Sequence, residues 1–153
     1  MRRAGAGVNE YAARVSPERH LRWSLALVAL FLAMGLWLEA MLGLRAAGWV
    51  DDPLRREFLR LGHAHGALLA LLNVGLSWAQ VHLATPEPWA RQIRRASWLG
   101  AALVGAGFVL GGLWHGPTDP GLAVLAVPAG ALMLVAGLVA TALLRAGDRA
   151  PEL

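Results

Sequence analysis

The sequence contains no cysteine and few charged residues. Without cysteine the chain can form no disulfide, thiolate metal site, iron–sulfur cluster or covalent attachment to a c-type haem. Any metal or haem would therefore be held by His, Glu, Asp or Met side chains. Charged residues make up 16% of the 153 residues and hydrophobic residues 57%, whereas soluble domains average about 25% and about 45–50%. This balance predicts a membrane protein.

The motifs of soluble enzymes are also missing. The chain has no Walker loop, no dinucleotide-binding glycine pattern and no GxSxG elbow, and no pair of carboxylates arranged as in glycosidases. Its basic residues are not interleaved with aromatic residues, as they are on many nucleic-acid-binding surfaces. We therefore expect no nucleic-acid partner, and a non-catalytic protein is favoured over an enzyme.

Four apolar segments are each long enough for a helix that crosses a bilayer, which needs about 20 residues. They cover residues 23–44, 61–83, 96–114 and 121–144. Residues 1–22 and 145–153 flank this single membrane domain as an N-terminal and a C-terminal tail. The expected fold is an all-α, four-helix transmembrane bundle with up-down topology.

Arginine indicates the orientation of these spans, because cytoplasmic loops carry an excess of basic residues. Arginines precede the first span, connect the second to the third and follow the fourth: Arg2, Arg3, Arg14, Arg19, Arg22, Arg91, Arg94, Arg95, Arg145 and Arg149. The GPTDPG connection before the fourth span has none. Both termini are therefore predicted to be cytoplasmic, in a multi-pass protein of the bacterial inner membrane. Trp49 and Trp114 are predicted to lie in the outer aromatic belt.

Small residues mark the predicted helix contacts, because helices in lipid associate through close packing and interhelical hydrogen bonds. One face of the second span carries Gly62, Gly66, Ala70, Asn73, Ser77 and Gln80, and one face of the third carries Gly100, Val104, Gly107, Gly111 and His115. We expect Asn73, Ser77 and Gln80 to hydrogen-bond to other helices. In the first span Gly35, Glu39 and Gly43 share a face, which predicts that Glu39 meets a neighbouring helix.

Glu39, His63, His65 and His115 are the candidate site residues. An ionisable group inside a span is a functional candidate, because it is costly in lipid unless paired or hydrated. His63 and His65, in LGHAHGALL, open the second span at the predicted outer side, and His115 closes the third span there. Residues two apart on a helix point about 200° apart, so both cannot bind one ion. We predict that one of them meets Glu39 and His115 near the outer face.

Three functions remain open. The first is a bound haem b, held axially by His63 or His65 and by His115, with the glycine faces giving room for the porphyrin. Its close variant is a divalent metal, Zn²⁺ or Cu²⁺, held by these histidines and Glu39. The second is a non-catalytic structural or assembly subunit of a membrane complex, in which the polar groups serve packing. The third is an oligomeric proton-coupled transporter with Glu39 as the protonatable residue. The expected partners are the lipid bilayer and either another membrane protein or further copies of the chain.

The segment FLRLGHAHGALLALLNVGLS, with the later HGPTDPGLAVLAVPAGALML, resembles a family of small bacterial four-span integral membrane proteins. In that family a similar LAHAHG stretch opens the second span, and a GDPGLG turn precedes the fourth. The resemblance covers much of the chain after residue 35 and implies the four-span fold without an activity. The histidine motif is also similar to that of membrane haem proteins with histidines at helix ends, including haem–copper oxidase-like chains. That likeness is short and transfers no ligand.

Overall fold

The computed structural model describes residues 17–144, which form helices and short connections without β-strands. The helices are α1 Pro17–Gly43, α2 Pro53–His82, α3 Glu87–Leu113 and α4 Ala126–Leu143, the last preceded by a 3₁₀ turn at Leu122–Leu125. Each of the four segments is long and apolar enough to cross a membrane. Length and composition thus suggest a multi-pass membrane protein. The predicted tails lie outside the described residues, except that residues 17–22 begin α1.

The first three helices begin earlier than the predicted spans, and a capping residue marks the new start of α2. The Asp52 carboxylate accepts a hydrogen bond of 2.9 Å from the backbone N–H of Arg55. Pro53 follows at the start of α2, where its missing N–H leaves no helical bond unmade. Helix α3 begins at Glu87, after Pro86 and without a side-chain cap. Arg94 therefore lies in a helix and not in the connection between two spans.

The two middle helices form the centre of the bundle. Each helix packs against the next one in the chain, and within residues 17–144 no Cα atom of α1 lies within 8 Å of a Cα atom of α4. The most apolar stretches of α1 and α4 are only 11% and 17% buried, whereas those of α2 and α3 are 33% and 44% buried. Helices α1 and α4 thus expose most of their apolar surface, as helices that face lipid do.

The predicted contact faces of the middle helices are confirmed. In α2, the six small and polar residues from Gly62 to Gln80 are all buried, and so are the four α3 residues Gly100, Val104, Gly107 and Gly111. The prediction for α1 is confirmed at Gly35, which the His63 ring of α2 covers, and is wrong for Glu39 and Gly43, which are exposed. The buried residues of α1 are His20, Ser24, Phe31 and Leu38. Glu39 follows Leu38 and so lies about 100° further round the helix.

The glycines accept bulky groups from neighbouring helices. A Cβ on Gly66 or Gly105 would lie 2.4 Å or 2.3 Å from the Phe31 ring, so this ring fills the space above both glycines. Gly100 and Gly130 bring α3 and α4 together, since a Cβ on either would lie 2.6 Å from the other's carbonyl oxygen. These contacts are the close packing that helices in lipid require.

Trp49 covers one end of the core. It is 6% exposed and packs with Leu38 and Leu59, and its ring centroid is 5.4 Å from that of Trp37 in an edge-on contact. The prediction that Trp49 belongs to an aromatic belt is therefore wrong. The short connection between α1 and α2 folds it inwards, whereas Trp114 is exposed.

Candidate functional site

His63 binds α1. Its Nδ1 lies 2.7 Å from the carbonyl oxygen of Phe31. Because a carbonyl oxygen only accepts, Nδ1 carries a proton and donates the hydrogen bond. The ring covers Gly35, where a Cβ would come within 2.3 Å of Cε1. In the neutral ring Nε2 is then the nitrogen with a lone pair, and it has no hydrogen-bond partner within residues 17–144. Because of this bond, His63 joins α1 to α2 and holds one defined tautomer.

Glu39 and His63 line the same groove. The groove lies between α1 and the start of α2 and has a volume of about 830 Å³. It is lined by Leu32, Gly35, Leu36, Leu38, Glu39, Leu42, Trp49, Arg56, Glu57, Arg60, Leu61, His63 and Ala64. We call it the α1–α2 groove. The structure thus brings together two of the four predicted site residues.

His65 lies on a different side of α2. It is exposed, its Nδ1 donates to the Leu61 carbonyl of its own helix at 3.0 Å, and its ring is 5.1 Å from that of Phe108 on α3. His63 contacts α1 and His65 contacts α3, as expected for residues about 200° apart. His65 is also absent from the walls of the α1–α2 groove.

His115 pairs with Asp52, a residue that sequence reasoning did not select. Its Nε2 lies 2.8 Å from Asp52 Oδ2, and its Nδ1 contacts the Gly116 carbonyl oxygen. Both acceptors favour the doubly protonated ring, so the Gly116 bond and then the Asp52 bond raise the pKa of His115. The backbone N–H of Arg55, followed by His115, lowers the pKa of Asp52. His115 is not a wall of the α1–α2 groove.

The predicted ligands thus occupy three separate surroundings. Among residues 17–144, no group of three or more His, Asp or Glu side chains is placed to hold a metal ion. The room expected for a porphyrin along the glycine faces is occupied at Gly35, Gly66 and Gly105 by side chains of the chain itself. The donor set that remains together is His63 and Glu39, which is one imidazole and one carboxylate.

A buried polar cluster was missed at the other end of the bundle. Arg94 is 2% exposed, and its Nη1 donates to Gln80 Oε1 at 3.1 Å while Nη2 donates to Glu87 Oε1 at 2.8 Å. From sequence, Arg94 was assigned to a cytoplasmic connection. It instead bridges the end of α2 and the start of α3.

The same cluster continues towards the middle of the bundle. Ser97 Oγ donates to Asn73 Oδ1 at 2.8 Å, and Asn73 Nδ2 donates to the Ser97 carbonyl at 3.2 Å. His20 of α1 lies buried against Asn73 and near the charge of Arg94. The predicted interhelical bonds are confirmed for Asn73 and Gln80. The prediction for Ser77 is wrong, since its hydroxyl donates to the Asn73 carbonyl of its own helix.

One sequence signal could have located Arg94. The α2 contact face ends in Asn73, Ser77 and Gln80, so it presents polar groups at the level where α3 begins. A charged side chain at that level has hydrogen-bonding partners inside the bundle. Its neighbour Arg95 is exposed, and a cluster of arginines does not reveal which member turns inwards.

Comparisons with known proteins add no relative. The chain matches no protein-family model, no curated protein and no solved structure. The functional argument therefore rests on the residues and their geometry.

Proposed function

We propose that the chain is a non-catalytic structural or assembly subunit of a membrane complex. The observation that carries this proposal is the bond from His63 Nδ1 to the Phe31 carbonyl oxygen, at 2.7 Å. His63 is one of the predicted ligands, and its ring joins α2 to α1. Asn73 and Gln80 likewise hydrogen-bond to neighbouring helices. Polar groups inside the bundle thus serve its packing, which is the pattern expected of a structural subunit.

The proposal includes an up-down arrangement of the helices in a bacterial inner membrane. Contacts between successive helices support it: Gly62 meets Val109 while Gly112 meets Phe58, as expected when α2 and α3 run in opposite directions. The arginines near the start of α3 and in both tails support cytoplasmic termini.

A tagged chain, expressed at its native level and purified in mild detergent, tests the subunit proposal. We expect a membrane protein in a fixed ratio to the chain, and we expect Glu39→Gln to retain it. Deletion of the chain should lower the amount of that partner in the membrane, because unassembled subunits are degraded. A chain that purifies alone, and whose deletion changes no other membrane protein, would overturn the proposal.

A second candidate is an oligomeric proton-coupled transporter. The observation in its favour is that the exposed Glu39 carboxylate, within α1, has no hydrogen-bond or ion-pair partner among residues 17–144. Since α2 and α3 fill the centre of the bundle, a polar path would lie between copies of the chain. This candidate expects pH-dependent flux in liposomes that Glu39→Gln abolishes and the control Glu18→Gln preserves. Flux that is unchanged in Glu39→Gln would exclude it.

A further inference from the structure

The α1–α2 groove contains charges of both signs at one end. On α2, Arg56, Arg60 and His63 are four and three residues apart, so they share one face of the helix. On α1, Gly35 and Glu39 are four residues apart and share a face, and the His63 ring lies on Gly35. The basic row of α2 therefore stands beside the Glu39 carboxylate in one groove.

These charges are largely available for binding. Glu39 is exposed and has no partner within the described part of the chain. Arg60 is 69% exposed and reaches Glu57 only at 3.8 Å, and such exposed ion pairs are weak. Arg56 uses one N–H group to bind the Val50 carbonyl oxygen at 3.2 Å. Its guanidinium has five N–H donors in total.

Apart from these residues and Glu57, the walls of the groove are apolar. Leu32 and Leu36 are exposed on α1, and they lie about 10 Å and about 5 Å from Glu39 along the helix axis, towards the middle of the span. Glu39 itself lies about 6 Å from the end of α1 at Gly43. The groove therefore changes from charged to aliphatic with depth, as a phospholipid does.

We propose that the α1–α2 groove binds one phospholipid whose head group carries a phosphate and a primary ammonium, as in phosphatidylethanolamine. Arg56 and Arg60 bind the phosphate, because guanidinium groups form charge-assisted hydrogen bonds to phosphate oxygens. Glu39 accepts from the ammonium. His63 Nε2, in the neutral ring whose Nδ1 donates to Phe31, accepts a hydrogen bond from a second N–H of the ammonium. The acyl chains lie along Leu32 and Leu36. This lipid-site proposal does not depend on whether the chain has a protein partner.

A comparison of the affinities for phosphatidylcholine and phosphatidylethanolamine distinguishes this site from a surface that binds any lipid. The trimethylammonium of phosphatidylcholine has no N–H to donate, although its charge and phosphate are the same. A hydrogen bond to a charged group raises the affinity by about one to two orders of magnitude. We therefore expect a preference of at least about tenfold for phosphatidylethanolamine over phosphatidylcholine.

Native mass spectrometry of the delipidated, detergent-solubilised full chain, titrated with each lipid, measures this preference. Glu39→Gln should lower the preference for phosphatidylethanolamine and leave only the part due to His63 Nε2, whereas the control Glu18→Gln on the same helix should leave the preference unchanged. Arg60→Gln should weaken both lipids alike, because both contain the phosphate. Arg95→Gln, which removes an exposed arginine elsewhere, is its control.

Two results would overturn the proposal. One is equal affinity of the wild-type chain for the two lipids, or a preference that Glu39→Gln does not alter. The other is a wild-type dimer that excludes lipid and that Glu39→Gln dissociates, since this would assign the groove to a second copy of the chain. Neither result bears on co-purification of a partner protein, so this proposal and the subunit proposal fail separately.

Discussion

His115 and Asp52 are 63 residues apart in sequence, and their side chains join the two connections at one end of the bundle. Asp52 also caps α2 through its other carboxylate oxygen. One carboxylate therefore holds the start of α2 and the segment that follows α3. Both His115 nitrogens face oxygen acceptors, so this link is strongest when the ring carries both protons.

The pH dependence of stability should reveal this link. The pKa of His115 is raised from 6.5 in the folded state, so its stabilisation is complete below pH 6.5 and is lost as the pH rises through the raised value. The pKa of Asp52 is lowered from 3.8, so its contribution is present above pH 3.8 and is lost as the pH falls through the lowered value. We expect the Tm of the detergent-solubilised protein to fall between pH 6 and pH 9.

A histidine substitution isolates that effect. His115→Asn should flatten the fall of Tm between pH 6 and pH 9, whereas His82→Asn, at an exposed histidine that stacks on Trp78, should keep it. An equal fall of Tm in wild type and His115→Asn would show that other groups cause the pH dependence.

Gly66→Ala should destabilise the bundle by about 1–3 kcal/mol, the usual range for overpacking a core. The added Cβ would lie 2.4 Å from the Phe31 ring, which Gly105 confines on its other side at 2.3 Å. Unfolding in SDS or by heat measures the loss, and Phe31→Leu should recover part of it in the Gly66→Ala background. Gly75→Ala is the matched control on the same helix. A Cβ there meets open space, so we expect a gain of up to about 1 kcal/mol from helix propensity. Equal effects of the two alanine substitutions would contradict the close contact with Phe31.

Arg94→Met should destabilise the protein more than Arg95→Met does. Removal of the Arg94 guanidinium leaves the buried Gln80 oxygen without its donor, and each unsatisfied buried group costs about 1–3 kcal/mol. Arg95 is exposed, and its substitution should change the free energy of unfolding by less than about 0.5 kcal/mol. Equal unfolding free energies for the two variants, measured in the same detergent, would show that the buried bonds contribute little.

A haem or metal at the predicted outer end stays a prediction, and its absorption spectrum and metal content test it. If His63 is a ligand, protein from haem-replete cells should show a Soret band or a stoichiometric metal that His63→Ala removes. His82→Ala should retain it. A colourless and metal-free preparation from such cells would exclude the site.

Much of the fold follows from the sequence, because helix contacts in a membrane are set by residue size and period. The α2 face from Gly62 to Gln80 has both small residues and helical spacing, and all six of its residues are buried. The face through Gly35, Glu39 and Gly43 shows the same period, yet only Gly35 is covered by a neighbouring helix, because α1 turns the side that carries Phe31 and Leu38 inwards. Its orientation is decided by Phe31, whose ring fits between two glycines of α2 and α3. That fit involves three helices, so no pattern within α1 reports it.

The candidate site was less predictable for a similar reason. Sequence reasoning selected Glu39 and His63, and both line the α1–α2 groove, but it also selected His115 and overlooked Asp52. Charged residues near the ends of spans are normally interpreted as topology signals. That interpretation does not reveal a pair such as Asp52 and His115. The same interpretation does not reveal that Arg94 is buried, since its partner Gln80 lies on the preceding helix.

The arrangement in which each helix packs mainly on its sequence neighbours has a consequence for biosynthesis. When α2 leaves the ribosome, its partner α1 is already made, and the same holds for α3 and then for α4. Each helix can therefore pack as soon as it enters the lipid, without waiting for a later part of the chain. Such short-range contacts favour rapid folding, and the nascent chain can assemble in the order of its synthesis.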